Sequence, residues 1–259
     1  MYPFLHALLA DRKGGPVFTC FGAWHLGYIV FTAAVIALVC LALRHKPRAA
    51  GERAATVFSA VAFGLYIADF FLMPFAYEEI DVEKLPFHIC TAVCVACWLS
   101  RRVAFLKPLR GAFALLGFLS NLVYLIYPAG VMWHAVHPLC YRVVQTLLFH
   151  SCMTVFGFLA LLYDEDALRP GAWKRDLAVI VGMTAWAVIG NTLYNGAAGS
   201  YDHFFNWFFV CADPFGLVPK SFAPFVMPFV NIALFFAVER VLSLLFRRLR
   251  APSRRSDDD

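Results

Sequence analysis

The chain has 259 residues, of which 61% are hydrophobic and 15% charged, and its mean hydropathy is +0.69. This composition excludes a soluble globular domain of ordinary type and predicts one integral membrane domain over residues 1–259. The net charge of +5 is modest and concentrated in certain loops, so it indicates membrane topology and not nucleic-acid binding.

The first two predicted spans lie in the N-terminal third of the chain. A polar segment at 11–16 follows a short apolar start, which is the wrong order for a cleaved signal peptide. The first span covers 24–43 and is followed by a basic loop, whereas the second covers 54–75 and is followed by an acidic loop. Asp69 lies inside the second span, where an ionisable side chain is costly.

The middle of the chain predicts three more spans. The third, at 86–99, is short for a full crossing and precedes the second basic loop. The fourth covers 111–127 and carries Asn121. The fifth covers 139–163 and carries three polar side chains, Arg142, Gln145 and His150.

The last two spans are separated by a long aromatic segment that we expect to lie along the membrane surface. The sixth span covers 177–194 and contains Asn191, and the seventh covers 222–246 and contains Asn231. A basic tail follows. Basic loops after spans one, three and seven, with acidic or neutral loops after two, four and six, predict seven crossings, an outer N-terminus and an inner C-terminus. We therefore expect an all-α polytopic bundle of about seven spans.

The segment from Leu85 to Cys97 is the most distinctive in the chain. Pro86 fits the first turn of a helix, and Cys90 then lies about one turn inside, where the positive end of the helix dipole favours a thiolate. His88 is two residues from Cys90 and points to a different helix face, so a base for this thiol must come from elsewhere.

His150 is the strongest candidate for that base. It lies in an apolar run, and the pKa of an ordinary histidine is near neutrality. Counted along the helices, Cys90 and His150 differ in depth by about 10 Å, so the pair requires a tilted or recessed third helix. Asn121 and Asn191 are carboxamides that fit an oxyanion, and with His88 they are our candidate substrate-binding residues. The competing interpretation is a histidine that only bridges helices.

Two other uses of these side chains stay open. His88, Cys90, His134 and His137 are ligand types that suit zinc, although they lack the usual paired spacing, and we predict no metal. Most cysteines lie inside apolar runs and are most simply small hydrophobic residues. A disulfide is conceivable only among Cys20, Cys140 and Cys211, which lie near predicted span ends.

The segment Leu-Pro-Phe-His-Ile-Cys at 85–90 resembles the LPxHxC-type segment of the YwaF and transmembrane protein 164 family. The order of the buried His150, the Asn191–Asn195 segment and Asp213 is similar, over about 24–246. Asn195-Gly196-Ala197 departs from the family's Asn-Tyr-Met. The resemblance implies an acyltransferase or a related hydrolase acting on membrane lipids, with Cys90 as the acyl-accepting nucleophile and His150 as the base.

We therefore expect an enzyme of a multi-pass cell membrane, with a bacterial inner membrane as the expected location. It transfers or hydrolyses a fatty acyl group of a membrane lipid through a Cys90 thioester, and it needs no organic cofactor. The alternative is a binding or transport protein in which the same polar residues line a cavity, with Asp69 and Arg142 paired along it. A third interpretation is an assembly protein whose polar residues only hold helices together.

Overall fold

The computed structural model describes residues 9, 14–77, 85–132, 135–169, 171–198, 206–213 and 216–250. Within these ranges the chain is helical and forms no strand. Its seven α-helices are α1 (Ala23–Leu43), α2 (Arg48–Tyr77), α3 (Ile89–Ser100), α4 (Arg110–Ile126), α5 (Tyr141–Tyr163), α6 (Trp173–Ala198) and α7 (Ala223–Arg250). The predicted all-α fold is confirmed.

Several predicted features lie outside the described residues. They are the polar residues at 11–13, the acidic loop at 78–83, His134, the polar residues at 202–203 and the tail from 251 onward. The predicted orientation depends in part on these loops, so it stays a prediction.

Among the described residues, six helical segments are long and apolar enough to cross a membrane, and α3 is the exception. α4 reaches this length together with the 3-10 helix Ala104–Leu109 that precedes it. With 12 residues, α3 is about 18 Å long, well short of a hydrocarbon core of about 30 Å. The chain is thus a multi-pass helical membrane protein. Its described residues contain six candidate spans and one short apolar helix, where the sequence predicts about seven spans.

The helices extend beyond several predicted spans. α2 begins at Arg48 and not at 54, and α6 covers Trp173–Ala198 and not 177–194. Hydropathy marks only the apolar part of a helix, whereas the hydrogen-bonded backbone continues through charged residues such as Arg53 into the polar boundary.

The chain divides into two compact units. The first contains α1, α2, α5 and residues 117–126 of α4, and α5 packs against both α1 and α2. Seven buried apolar residues form a hydrophobic cluster in this unit: Phe18, Leu125, Val131, Val136, Cys140, Val143 and Leu147. Gly157 of α5 lies against the backbone of Phe118, where any side chain would overlap. The missing Cβ thus permits the close approach of α4 and α5 within this unit.

The second unit contains α3, residues 110–116 of α4, α6 and α7. α6 packs along α7 and also contacts α3. Among its described residues, this unit contains two ion pairs: Arg110 with Asp164, at 2.8 Å between Nε and Oδ2, and Arg240 with Asp176. Both acidic side chains are buried and both join segments distant in sequence, so these pairs fix the packing of the second unit.

Large apolar side chains are exposed along the candidate spans. Leu38 of α1 is 65% exposed and Phe225 of α7 is 73% exposed. Exposed apolar side chains on long helices are what a lipid environment requires, because lipid chains are as apolar as the side chains themselves. A bilayer is therefore the expected environment of both units.

Candidate functional site

Cys90 is buried in the second unit, at the second residue of α3. His88 is the N-cap residue of this helix, with extended backbone angles and no hydrogen bond from its side chain to the helix start. The prediction that Pro86 lies in the first helical turn is wrong, since the helix begins at Ile89. Cys90 is thereby closer to the helix N-terminus than expected, where the helix dipole favours the thiolate.

An aromatic cluster holds the chain just before α3. The ring of Phe87 stacks on Trp186, with centroids 4.9 Å apart, and on Trp207, at 5.1 Å. Tyr194 approaches the Phe87 ring edge-on at 5.9 Å. The indole N–H of Trp186 donates to the carbonyl oxygen of Pro86 at 2.6 Å. These contacts keep residues 86–87 out of the helix and explain why α3 starts late.

Gly190 of α6 makes the aromatic cluster possible. A Cβ built at Gly190 would lie 2.3 Å from Cδ1 of Phe87, far inside van der Waals contact. Only glycine lets the Phe87 ring lie flat against α6 at this level. The position of Cys90 in the second unit thus depends on a glycine 100 residues further along the chain.

His88 lies outside the six candidate spans and is partly buried. Burial lowers the pKa of the His88 imidazole to about 4, so the ring is neutral at pH 7. A neutral imidazole with this pKa is a weak base. This supports the sequence argument that the base for Cys90 is a different residue, while the predicted role of His88 in substrate binding stays a prediction.

His150 is buried in the first unit, in α5, and its Nδ1 lies 2.7 Å from Oδ1 of Asn121. The Asn121 amide nitrogen donates to the carbonyl oxygen of Gly117 at 2.7 Å, which turns the amide oxygen toward the imidazole. Because an amide oxygen only accepts, the hydrogen-bond network assigns the proton to Nδ1 and the lone pair to Nε2. The histidine is therefore held in the tautomer whose Nε2 can accept a proton.

The ring of His150 is also fixed by aromatic contacts within the first unit. Tyr124 stacks on the imidazole with centroids 3.7 Å apart and an angle of 11° between the ring planes. Phe149 meets it edge-on at 5.0 Å. A hydrogen bond at Nδ1 and a stacked ring leave little freedom to rotate. Asn121, proposed from sequence as an oxyanion donor, lies where it orients the histidine, and its substrate-binding role stays a prediction.

Asn191 lies in the second unit and binds backbone. Its two N–H groups donate to the carbonyl oxygens of Ala187, at 2.7 Å, and Trp207, at 3.0 Å, and its oxygen accepts from the Trp207 N–H at 3.0 Å. Asn231 similarly donates to the carbonyl oxygens of Phe208 and Phe209. An oxyanion that bound Asn191 would have to displace one of these hydrogen bonds to Ala187 or Trp207. A substrate-binding role for Asn191 stays a prediction.

Asn191 and Asn231 support a strained stretch of backbone. Phe208 and Phe209 both have positive φ, 59° and 52°, a region that bulky residues rarely adopt. Irregular backbone among membrane helices requires such side-chain partners because lipid offers none. The two carboxamides thus hold Trp207 in place against Phe87.

A second buried histidine, His25, has a different function in the first unit. Its Nδ1 accepts the Phe21 N–H at 2.8 Å and its Nε2 lies 2.6 Å from the Leu125 carbonyl oxygen. Both ring nitrogens form hydrogen bonds with backbone groups, as expected for a histidine with a structural role. The sequence offered a signal, since His25 follows the N-cap Gly22 by three residues, where side chains commonly reach back to the helix start.

The other polar residues of the first unit bridge helices. The Tyr141 hydroxyl hydrogen-bonds the carboxylate of Asp69, which is buried. Gln145 donates to the Leu65 carbonyl oxygen at 3.2 Å. The proposed pair of Asp69 with Arg142 stays a prediction.

The structure bears on both the disulfide and the metal site that the sequence left open. None of the eight cysteines, all of which lie within the described ranges, forms a disulfide, so pairing among Cys20, Cys140 and Cys211 is not found. No three side chains of the His, Cys, Asp and Glu types come together to hold a metal in the part of the chain that the structure describes, which omits His134.

Cys90 and His150 thus belong to different units, and each is positioned by its own neighbours. No protein-family model matches the chain, and comparisons with the curated proteins and with the solved structures find no match either. What the fold and the polar residues define is a class: a multi-pass helical membrane protein with a buried, oriented histidine. The family resemblance and the chemistry it implies stay predictions.

Proposed function

We propose that this protein is a membrane-embedded lipid acyltransferase or lipid hydrolase, with Cys90 as nucleophile and His150 as general base. The observation that carries the proposal is the hydrogen bond from Nδ1 of His150 to Asn121, at 2.7 Å. A base whose far nitrogen is held by a third group, so that Nε2 accepts a proton, is the arrangement that nucleophilic catalysis uses on many folds.

Support for Cys90 comes from its position. It is the second residue of α3, and the aromatic cluster fixes the residues before it. A thiol at a helix N-terminus is more readily ionised and hence more nucleophilic at neutral pH. The pairing of Cys90 with His150 rests on the sequence argument and the family resemblance, because the two residues lie in separate units.

The proposed reaction has two steps. His150 takes the thiol proton, the Cys90 thiolate attacks the ester carbonyl of a phospholipid, and the carbon–oxygen bond to the glycerol breaks. The departing alkoxide takes the proton back from the imidazolium and leaves as a lysolipid, while the acyl group stays on Cys90 as a thioester. In the second step His150 deprotonates water or an acceptor hydroxyl, which attacks the thioester carbonyl. The carbon–sulfur bond breaks, and the released thiolate takes the proton back from the imidazolium.

The test is to trap the thioester. Purified protein in vesicles of phosphatidylcholine with an isotopically labelled acyl chain is expected to acquire a hydroxylamine-sensitive acyl group on the peptide containing Cys90. Cys90→Ala abolishes the adduct, and His150→Ala lowers its rate of formation by about 10²- to 10⁴-fold, the usual contribution of a general base. Cys94→Ala is the matched control, since Cys94 is a buried thiol one turn further along α3.

Variants at Asn121 test the orientation of the base. Asn121→Ala removes the acceptor for Nδ1 and is expected to slow thioester formation by about 10²-fold, at the lower end of the range for a general base, whereas Asn121→Asp keeps an acceptor and retains more activity. An adduct that forms equally fast on His150→Ala protein, or that survives Cys90→Ala, contradicts the proposal. Well-folded variants with no adduct in any protein favour the non-covalent binding or transport alternative.

A further inference from the structure

Glu239 is a buried carboxyl group in the middle of α7. Its side chain has no exposed surface, and neither carboxylate oxygen has a hydrogen-bond partner among the residues that the structure describes. In α7 it is the seventeenth of 28 residues, so it lies far from both helix ends. Carboxyl groups at such positions are costly and usually functional.

The positive charge nearest in sequence is engaged by another acid. Arg240 forms an ion pair with Asp176 of α6, its guanidinium reaches Ser243 Oγ at 3.4 Å, and it lies 5.3 Å from the ring centroid of Phe236. Asp176 is itself buried and is close enough to Glu239 for the two acids to interact electrostatically. Arg240 thus lies near two acids, Asp176 and Glu239.

Two other arginines lie on α6 and α7 in the second unit. Arg175 of α6 and Arg247 of α7 both act electrostatically on Asp176. The Arg175 guanidinium donates to the Pro108 carbonyl oxygen at 2.9 Å, and that of Arg247 donates to the Arg169 carbonyl oxygen at 3.3 Å. None of these hydrogen bonds goes to Glu239.

We propose that Glu239 is a proton-binding site, whose carboxyl carries a proton at neutral pH and can release it within the second unit. A buried carboxylate without partners is unfavourable, and one proton neutralises it with no further ligand. A metal cation requires several oxygen ligands around it, and Glu239 and Asp176 supply only two carboxylates, one of them already bound to Arg240. A proton is therefore the ligand that fits.

Loss of this proton has a structural consequence. It creates a second carboxylate near Asp176, and the two then compete for Arg240. The contact between α6 and α7 is therefore sensitive to the protonation of Glu239. This inference is independent of the proposed acyl transfer, because neither Cys90 nor His150 takes part in it.

Infrared spectroscopy of the full-length protein in a detergent without ester groups tests the proposal directly, with no phospholipid substrate present. A protonated carboxyl has a carbonyl stretch above the carboxylate bands, and exposed Asp and Glu side chains are ionised at pH 7. We expect this band in the wild-type protein and in the control variant Glu52→Gln, its absence in Glu239→Gln, and its loss as the pH is raised.

Labelling with dicyclohexylcarbodiimide provides a second measurement on the wild-type protein, so the proposal does not depend on the folding of a variant. The O–H of a neutral acid adds across one C=N bond to give an O-acylisourea, which rearranges to a stable N-acylurea. We expect the adduct at Glu239 and not at Asp176, which is bound by Arg240. An infrared band that is present in the wild-type protein and lost in Glu239→Gln supports the proposal, whether or not the carbodiimide labels Glu239. If the wild-type protein shows neither the band nor the label, the proposal is overturned.

Discussion

Replacing Gly190 with alanine tests the positioning of the α3 start in the second unit. The new methyl group would lie 2.3 Å from Cδ1 and 2.4 Å from Cγ of Phe87. The ring cannot simply turn aside, because Trp186 and Trp207 both stack on it. Either the cluster stays and is overpacked, at about 1–3 kcal/mol, or the ring leaves and loses three aromatic contacts worth roughly 0.5–1.5 kcal/mol each. The protein adopts whichever of these two responses costs less free energy, so we expect a loss of about 1–3 kcal/mol in the free energy of unfolding.

The matched control for this substitution is Gly182→Ala in the same helix. Nothing lies within 4 Å of a Cβ built there, so the change should only improve helix propensity and stabilise the protein by about 0.5–1 kcal/mol. Denaturant unfolding in mixed micelles measures both variants, and alkylation of Cys90 by a permeant maleimide reports displacement of α3. If Gly190→Ala is as stable as Gly182→Ala and its Cys90 reacts at the wild-type rate, the described packing of Phe87 is wrong. Combining Gly190→Ala with Phe87→Leu should recover part of the loss, since the two residues share one contact.

Two further substitutions follow from the same physical reasoning. Asn191→Ala leaves the buried N–H and carbonyl groups of Trp207 without their partner, so we expect a loss of about 2–6 kcal/mol at roughly 1–3 kcal/mol for each group, measured by unfolding. Gly157→Ala places a methyl group 2.6–2.9 Å from the Cβ, Cα and backbone N of Phe118, and because backbone cannot swing away we expect a loss of about 1–3 kcal/mol or failure to fold. Gly64→Ala, which meets nothing within 4 Å, is its control, and equal stability of the two variants would contradict the described packing.

The helices were predictable from hydropathy because apolar side chains are needed wherever lipid surrounds the chain. Helix ends were less predictable. α3 starts at Ile89 and not at Pro86 because Phe87 and the Pro86 carbonyl are held by Trp186 and Trp207, about 100 residues further along the chain. No local pattern near Pro86 contains that information, since the hydrogen bond and the stacked rings exist only after α6 has packed.

The sequence also identified His150 and Asn121 as buried polar residues, but not as partners. The two lie 29 residues apart on different helices, and their contact depends on the register of α4 against α5 in the first unit. That register is fixed by close packing such as Gly157 against Phe118, which a single sequence does not reveal. A carboxamide near a histidine is chemically suited to both orientation and oxyanion binding, and only the 2.7 Å hydrogen bond favours orientation.

Glu239 is an ionisable residue that the sequence alone did not single out. It is followed directly by Arg240, and an adjacent acid and base suggest a pair that neutralises itself near the basic end of the last span. Consecutive residues of a helix project about 100° apart, however, so neighbours in sequence do not face each other. The arginine instead turns to Asp176 of α6, 64 residues earlier, and leaves the glutamate buried without that partner. The partner of a buried charged residue therefore depends on helix geometry and not on its nearest neighbour in sequence. For this reason, detection of a proton on Glu239 decides its proposed role.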